Sequence, residues 1–223
     1  MTFSIAATDG QGRFGIAVSS SSPAVAARCA HLRDGVGAVS SQNITDPRLG
    51  HALLDRLQAG HSAQEAIGAV VRESPAVDYR QLVVLDAKGG SAVFSGGHTL
   101  GVFGEGSSRN SVAAGNLLAH PGVAQALCDA FEATSGELEV RLMAALRAAE
   151  AAGGEAGPVR SAGLSVVSGH GWRDTDLRVD WHEDPIAELE QLLQVWLPQR
   201  QDYVIRGLDP ASSVGYGVAG DER

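Results

Sequence analysis

Phe3-Ser4-Ile5-Ala6-Ala7-Thr8-Asp9-Gly10-Gln11-Gly12-Arg13-Phe14-Gly15-Ile16-Ala17-Val18 sets two apolar runs on either side of an Asp-Gly turn. Phe3 to Ala7 reads as a strand, Asp9 to Gly12 as the turn and Arg13 to Val18 as a second strand, so a β-hairpin opens the chain. A chain that begins in a hairpin begins inside a sheet. Beyond it, Ser19-Ser20-Ser21-Ser22-Pro23 interrupts the pattern and Val36 to Ser41 supplies a third strand. Thr45 or Asp46 can cap a helix that has Pro47 in its first turn and runs toward Gly60. Ser62-Ala63-Gln64-Glu65 is a capping box that starts a second helix, ending near Glu73.

Tyr79 to Leu85 and Ser91 to Ser95 read as a second hairpin around Lys88, and Ser111 to Leu118 as another strand. Two helices follow, Pro121 to Ala133 and Glu137 to Ala152, the latter with apolar spacing at Leu138, Leu142, Ala145, Leu146 and Ala149. Strands at Ser161 to Val167 and Leu177 to Trp181 precede a helix capped by Asp184, opened by Pro185 and reaching Trp196. Strands and paired helices in this order do not alternate as a doubly wound parallel sheet would. The expected class is α+β, with two stacked antiparallel sheets between helical layers over residues 1–198. Residues 199–223, rich in glycine and without a strong period, read as a C-terminal arm or flexible tail.

Composition narrows the function. Hydrophobic residues at 44% and charged residues at 19% suit a packed core. A net charge of -9 argues against nucleic acid and anionic membrane surfaces, which are held by clustered Lys and Arg. The start of the chain lacks the basic segment of a secretory signal, and no run reaches the roughly 18 apolar residues of a membrane span, so a cytoplasmic protein is expected. Cys29 and Cys128 are expected as reduced thiols, without zinc spacing. Lys88 is the only lysine and sits in a turn, which leaves little room for Schiff-base chemistry.

Thr2 is the first candidate for chemistry. Methionine is normally trimmed before a small residue, and an exposed threonine carries its own base, an α-amine that titrates near pH 8. Gln42 and Asn43, after an apolar strand, can donate to an oxyanion or substrate carbonyl, or cap the strand end. Asn116 follows Gly115 in an apolar segment and is a pocket candidate, while Arg48 and Arg160 can fork onto a substrate carboxylate. The histidines are scattered, and no Gly-x-Ser-x-Gly elbow accompanies them. Asp174, Asp176, Asp180, His182 and Asp184 invite a metal reading. Strand alternation, with Leu177, Val179 and Trp181 on one face and Arg178, Asp180 and His182 on the other, accounts for them without one.

Met1-Thr2-Phe3-Ser4-Ile5, Gly15-Ile16-Ala17-Val18-Ser19-Ser20, Gly35-Val36-Gly37-Ala38-Val39, Gln42-Asn43, Asp46-Pro47-Arg48, Gly115-Asn116-Leu117-Leu118, Gly153-Gly154, Ser161-Ala162 and Asp176-Leu177-Arg178-Val179-Asp180 together resemble the bacterial domain-of-unknown-function family 1028. The layout is also similar to N-terminal nucleophile (Ntn) hydrolases such as proteasome subunits. That resemblance implies a four-layer αββα sandwich whose threonine starts a strand. It also implies a cation beside the nucleophile. Many relatives carry Lys where this chain has Ser21, so either Arg28 or another arginine substitutes, or the α-amine works with only hydroxyl and amide partners.

The expected function is therefore an amidohydrolase that cleaves an amide or ureide bond of a small molecule through Thr2. No cofactor or metal is expected, and a homodimer or higher homo-oligomer is. A non-catalytic binding or scaffold protein on the same fold, and a metal-dependent hydrolase using Asp180 and His182, are the alternatives.

Overall fold

The computed structural model describes residues 2–221. Strands β1 (Thr2–Thr8) and β2 (Phe14–Ser20) form the opening hairpin, with Phe3 opposite Ser19 and Thr8 opposite Phe14. Asp9 closes the turn. Its Oδ1 accepts from the backbone N–H of Gln11 at 2.7 Å and of Arg13 at 3.2 Å, while Gly10 and Gly12 take φ of 76° and 102°. Every residue of both strands is buried.

A short helix α1 (Val25–Cys29) leads into β3 (Ala30–Arg33) and β4 (Gly37–Asn43), followed by α2 (Pro47–Gln58) and α3 (Ala63–Glu73). Next come β5 (Arg80–Asp86), β6 (Ser91–Ser95), β7 (Gly104–Ser107) and β8 (Ser111–Asn116), then α4 (Val123–Ala133) and α5 (Leu138–Ala151). Strands β9 (Ser161–Val167) and β10 (Arg173–Val179) and helices α6 (Pro185–Trp196) and α7 (Arg200–Leu208) complete the described chain. The strands form two antiparallel sheets, one six-stranded in the order β10-β9-β2-β1-β8-β7 and one four-stranded in the order β3-β4-β5-β6.

Strand alternation sorts β1 between two cores. Phe3, Ile5 and Ala7 face outward against Leu127 and Phe131 of α4 and Leu142 and Leu146 of α5. Ala6 faces inward, where Phe14, Ala38, Val83, Leu85 and Val112 fill the space between the sheets. Beyond the second sheet, Leu53, Leu54, Ile67 and Val70 of α2 and α3 cover Val39, Leu82 and Val84. The helix starts are those read from local chemistry: Asp46 accepts from Arg48 N with Pro47 at the first position, and Ser62 and Glu65 make a reciprocal capping box. Asp184 accepts from Ala187 N ahead of α6.

Several boundaries differ from expectation. Strand β7 is Gly-Glu-Gly-Ser, and glycine is used there because α4 lies against it: a Cβ at Gly104 would sit 2.3 Å from the carbonyl oxygen of Pro121, and one at Gly106 2.5 Å from that of Ala124. Strand β10 ends at Val179, which leaves Trp181 outside it and 63% exposed. The segment from residue 199 contains α7, which is tied to the body. Arg200 pairs with Glu139 at 2.7 Å and Glu137 at 3.1 Å, and Tyr203 stacks on Trp196 at 5.2 Å. Among the described residues no helix is long and apolar enough to cross a membrane.

Candidate active site

Because β1 pairs with β2 on one side and β8 on the other, its first residue is held from both sides. Thr2 is 4% exposed and lies opposite Asn116 in the register, while its Oγ1 donates to Ser20 Oγ at 3.4 Å. Ser20 Oγ also accepts from the Ser22 N–H at 3.0 Å. The serine run that interrupts the sequence pattern thus folds into a turn pinned to β9: Ser161 Oγ donates to Ser22 O at 2.6 Å and accepts from Val25 N at 3.2 Å. Arg160 joins the same corner through its backbone, with its N–H on Ser20 O at 2.7 Å and its carbonyl accepting from His182 N at 2.8 Å. Arg160 is half-buried, and among the described residues its side chain makes no hydrogen bond or ion pair.

Inward from Thr2 a ladder of buried polar side chains crosses between the sheets. Gln42 Oε1 accepts from Ser4 Oγ at 2.6 Å and Ser40 Oγ at 2.9 Å, and its Nε2 donates to Gln81 Oε1 at 2.9 Å and Ala114 O at 3.1 Å. Gln81 Nε2 continues to Ser95 Oγ and Gly115 O, and Asn116 Nδ2 donates to Gln81 Oε1 at 3.0 Å. Gln42 is therefore a cross-sheet link. Both of its amide protons are engaged within the ladder. Asn116 differs: one amide proton is committed and its buried Oδ1 has no hydrogen-bond partner.

Asn43 likewise acts as a clamp. At φ 70°, its Nδ2 donates to Tyr79 O at 2.7 Å and His98 O at 3.4 Å, and its Oδ1 accepts from Leu100 N at 3.3 Å. The loop so held reaches β8, where Leu117 N–H meets Leu100 O and Leu118 N–H meets Val102 O. Leu117 has φ 51°, a left-handed backbone that costs a leucine roughly 1–2 kcal/mol and is tolerated here beside Asn116.

Glu155 closes the same end of the molecule. It is 5% exposed, both carboxylate oxygens accept from Ser21 N at 3.2 Å, and its backbone bridges Leu118. Burial pushes its carboxyl up to about 7, against the positive charge at the chain's amino terminus and the hydrogen bond from Ser21. A cavity of about 310 Å³ opens beside it, with Phe3, Gly154, Glu150, Glu183 and Asp184 also in its wall.

The remaining candidates lie in local structure. Arg28 donates from Nη1 to the carbonyls of Pro23 and Ala24, and Arg48 forks onto Asp46 with its side chain 88% exposed. Asp180 pairs with Arg178, and His182 bonds the backbone of Asp184. Among the described residues no group of three or more His, Cys, Asp or Glu is placed to hold a metal ion. Sequence reasoning missed Ser20, one serine in a run of four, Gln81 inside an apolar strand, and Glu155, a lone acid after Gly153-Gly154. Only the glycine pair was a signal.

The chain is similar to the crystal structure of protein SPO2555 from Silicibacter pomeroyi at 30% identity, with a TM-score of 0.83 over 91% of this chain and 93% of that one. Anbu (ancestral beta-subunit) from Yersinia bercovieri aligns at 10% identity with a TM-score of 0.41 over 88% of this chain and 97% of that one, too distant a likeness to carry an argument. No curated protein matches. The model of a family of unknown function, DUF1028, matches residues 2–189. With nearly the whole length matched by that family's model, the chain belongs to the DUF1028 family.

Proposed function

We propose that the chain is an Ntn-type amidohydrolase of the four-layer αββα class that cleaves an amide or ureide bond of a small molecule through Thr2. The observation that carries the reading is the position of Thr2. It is the first residue of a fully buried central strand, with a second hydroxyl at 3.4 Å and a carboxamide opposite. A hydroxyl at a strand start, once the residue before it is removed, has its own α-amine within reach.

In this mechanism the Thr2 Oγ attacks the substrate carbonyl carbon while the α-amine takes the hydroxyl proton. The tetrahedral intermediate collapses with cleavage of the C–N bond, and the ammonium returns that proton to the departing nitrogen. Water then attacks the threonyl ester, the amine again serving as base, and the acid leaves. Asn116 retains an amide proton for the substrate or its oxyanion. Arg160 retains a guanidinium for a substrate carboxylate. The role expected of a cation near residue 21 would fall to Arg160 sooner than to Arg28, whose Nη1 is occupied. The working form would be a cytoplasmic homodimer or higher homo-oligomer.

Screening an amide and ureide library by mass spectrometry tests the reading. Protein lacking Met1 should turn over a member of the library and yield a trappable acyl adduct on Thr2. Thr2→Ala should lose at least about 100-fold in rate and Thr2→Ser should keep part of it. A substrate turned over equally by Thr2→Ala would refute the assignment. A non-catalytic binding protein is the second reading, favoured by the neighbours of Thr2, which are a hydroxyl and an amide where a basic side chain would be expected.

A further inference from the structure

Two strands bracket the start of β1, and both lead to one carboxylate. On the β2 side, Ser20 meets the Thr2 hydroxyl and the next residue, Ser21, donates its N–H to both oxygens of Glu155 at 3.2 Å. On the β8 side, Asn116 lies opposite Thr2, and two residues later Leu118 bridges Glu155. The segment carrying Glu155 is fixed at both edges, with Ala119 N–H on Gly154 O at 3.0 Å and Ala156 N–H on Leu117 O at 2.9 Å. Gly154 packs over Phe3, where a Cβ would stand 3.6 Å from the ring. Gly154 and Phe3 also share the wall of one cavity, and Glu155 and Thr2 lie one residue along from each.

We propose that Glu155 is the positioning residue for the Thr2 α-amine, a buried carboxylate that pairs with the amine once Thr2 is the terminal residue. This rests on reading Thr2 as the nucleophile. The chemistry follows from what Glu155 lacks: among the described residues no Arg, Lys or His forms an ion pair with it, and one backbone N–H is poor compensation for a buried charge. A terminal ammonium supplies the missing cation, and the pair shares one proton. With the proton on Glu155 the amine is neutral, and its lone pair takes the Thr2 hydroxyl proton as the Oγ–C bond forms. When the leaving nitrogen has taken that proton, the pair is back in its starting state. Burial, which raises the carboxyl toward neutrality, makes the shared proton mobile near pH 7.

Glu150, Glu183 and Asp184 line the same cavity, and Arg160 joins this corner through its backbone. Glu150, at the end of α5, is engaged by Arg147; Asp184 caps α6; Glu183 is exposed. The test therefore compares Glu155→Gln with Glu183→Gln in full-length protein whose terminal residue is Thr2, verified by intact mass. The amine is titrated by its pH-dependent acetylation with acetic anhydride, read on the N-terminal peptide. A carboxylate neighbour should hold the wild-type amine above the usual 7.7–8.0, and Glu155→Gln should lower its pKa by about one pH unit or more, roughly a tenfold rise in reactive amine at neutral pH. Glu183→Gln should move it much less. Should Glu155→Gln fail to fold, Glu155→Asp, with the carboxylate withdrawn by one methylene, should give an intermediate value. Equal amine titration in wild type and in the Glu155 variants would overturn the proposal. The measurement needs no substrate and is repeated in Thr2→Ala, so a dependence on Glu155 that survives there alongside failure of the acyl-adduct experiment would reject the nucleophile reading and keep the pair.

Discussion

Replacing Gln42 by leucine should weaken the joint between the two sheets by about 2–4 kcal/mol. Gln42 is fully buried and its carboxamide makes four hydrogen bonds, two accepted from Ser4 and Ser40 and two donated to Gln81 and Ala114. Leucine matches its volume but leaves the two serine hydroxyls without an acceptor, at roughly 1–3 kcal/mol each. Gln81 Oε1 keeps its bond from Asn116, while Ala114 O loses the Gln42 donor. Extra apolar burial returns roughly 1–2 kcal/mol. For a chain of this size the net loss corresponds to roughly 5–15 °C in Tm. Urea unfolding at neutral pH measures it, and Ser4→Ala in the leucine background should recover about 1 kcal/mol by removing one orphaned hydroxyl. A loss below about 0.5 kcal/mol, or strict additivity of the two changes, would show that the ladder does not join the sheets as described.

Two further outcomes follow from buried titratable groups. His31 packs its ring against Gly50 and edge-on to His51, and burial, with His51 adding to it, lowers its pKa to about 4 from 6.5. The unfolded chain then binds more protons between pH 4 and 6.5, so this contribution is complete above 6.5 and is lost as pH falls toward 4, at most roughly 3 kcal/mol. Glu155, raised by burial, contributes in the opposite sense over pH 4.5–7. The measurement is therefore the difference in urea midpoint between wild type and His31→Gln across pH 4–7, and parallel curves would contradict it. Cys29 and Cys128 are both buried, and burial pushes each thiol up to about 11. Ellman's reagent at pH 8 should find no reactive thiol in the native protein and both in denaturant, and rapid modification of the native form would count against their burial.

Local chemistry made much of this fold legible. The starts of α2, α3 and α6 follow from Asp46-Pro47, the Ser62 and Glu65 box and Asp184-Pro185, because a cap is satisfied by residues a few positions away. Strand β7 was invisible for the opposite reason. Its glycines serve the approach of α4, a partner that lies beyond it in the chain and leaves no periodic trace. The site divides in the same way. Thr2 and Asn116 stand out by position in their strands, but Gln42 reads equally as a donor or a strand-end cap, and its link to Ser4 and Gln81 shows only across the sheets. Glu155 depends on Ser21, which is 134 residues away, and no local pattern encodes such a pair.

The central position of β1 constrains when its amino end can be reached. Although β2 follows at once, the other flank of β1 is β8, whose last residue is Asn116. A nascent chain therefore cannot complete the sheet around Thr2 until more than half of it has left the ribosome, and pairings of such sequence separation are slow to form. During that interval whatever precedes Thr2 is open to a processing aminopeptidase. Once β1 is sealed between its neighbours, Thr2 itself is buried. If Thr2 is the nucleophile proposed above, trimming would be a co-translational event in competition with folding, and overexpression that outruns the aminopeptidase would yield two populations, only one of them carrying a free threonine.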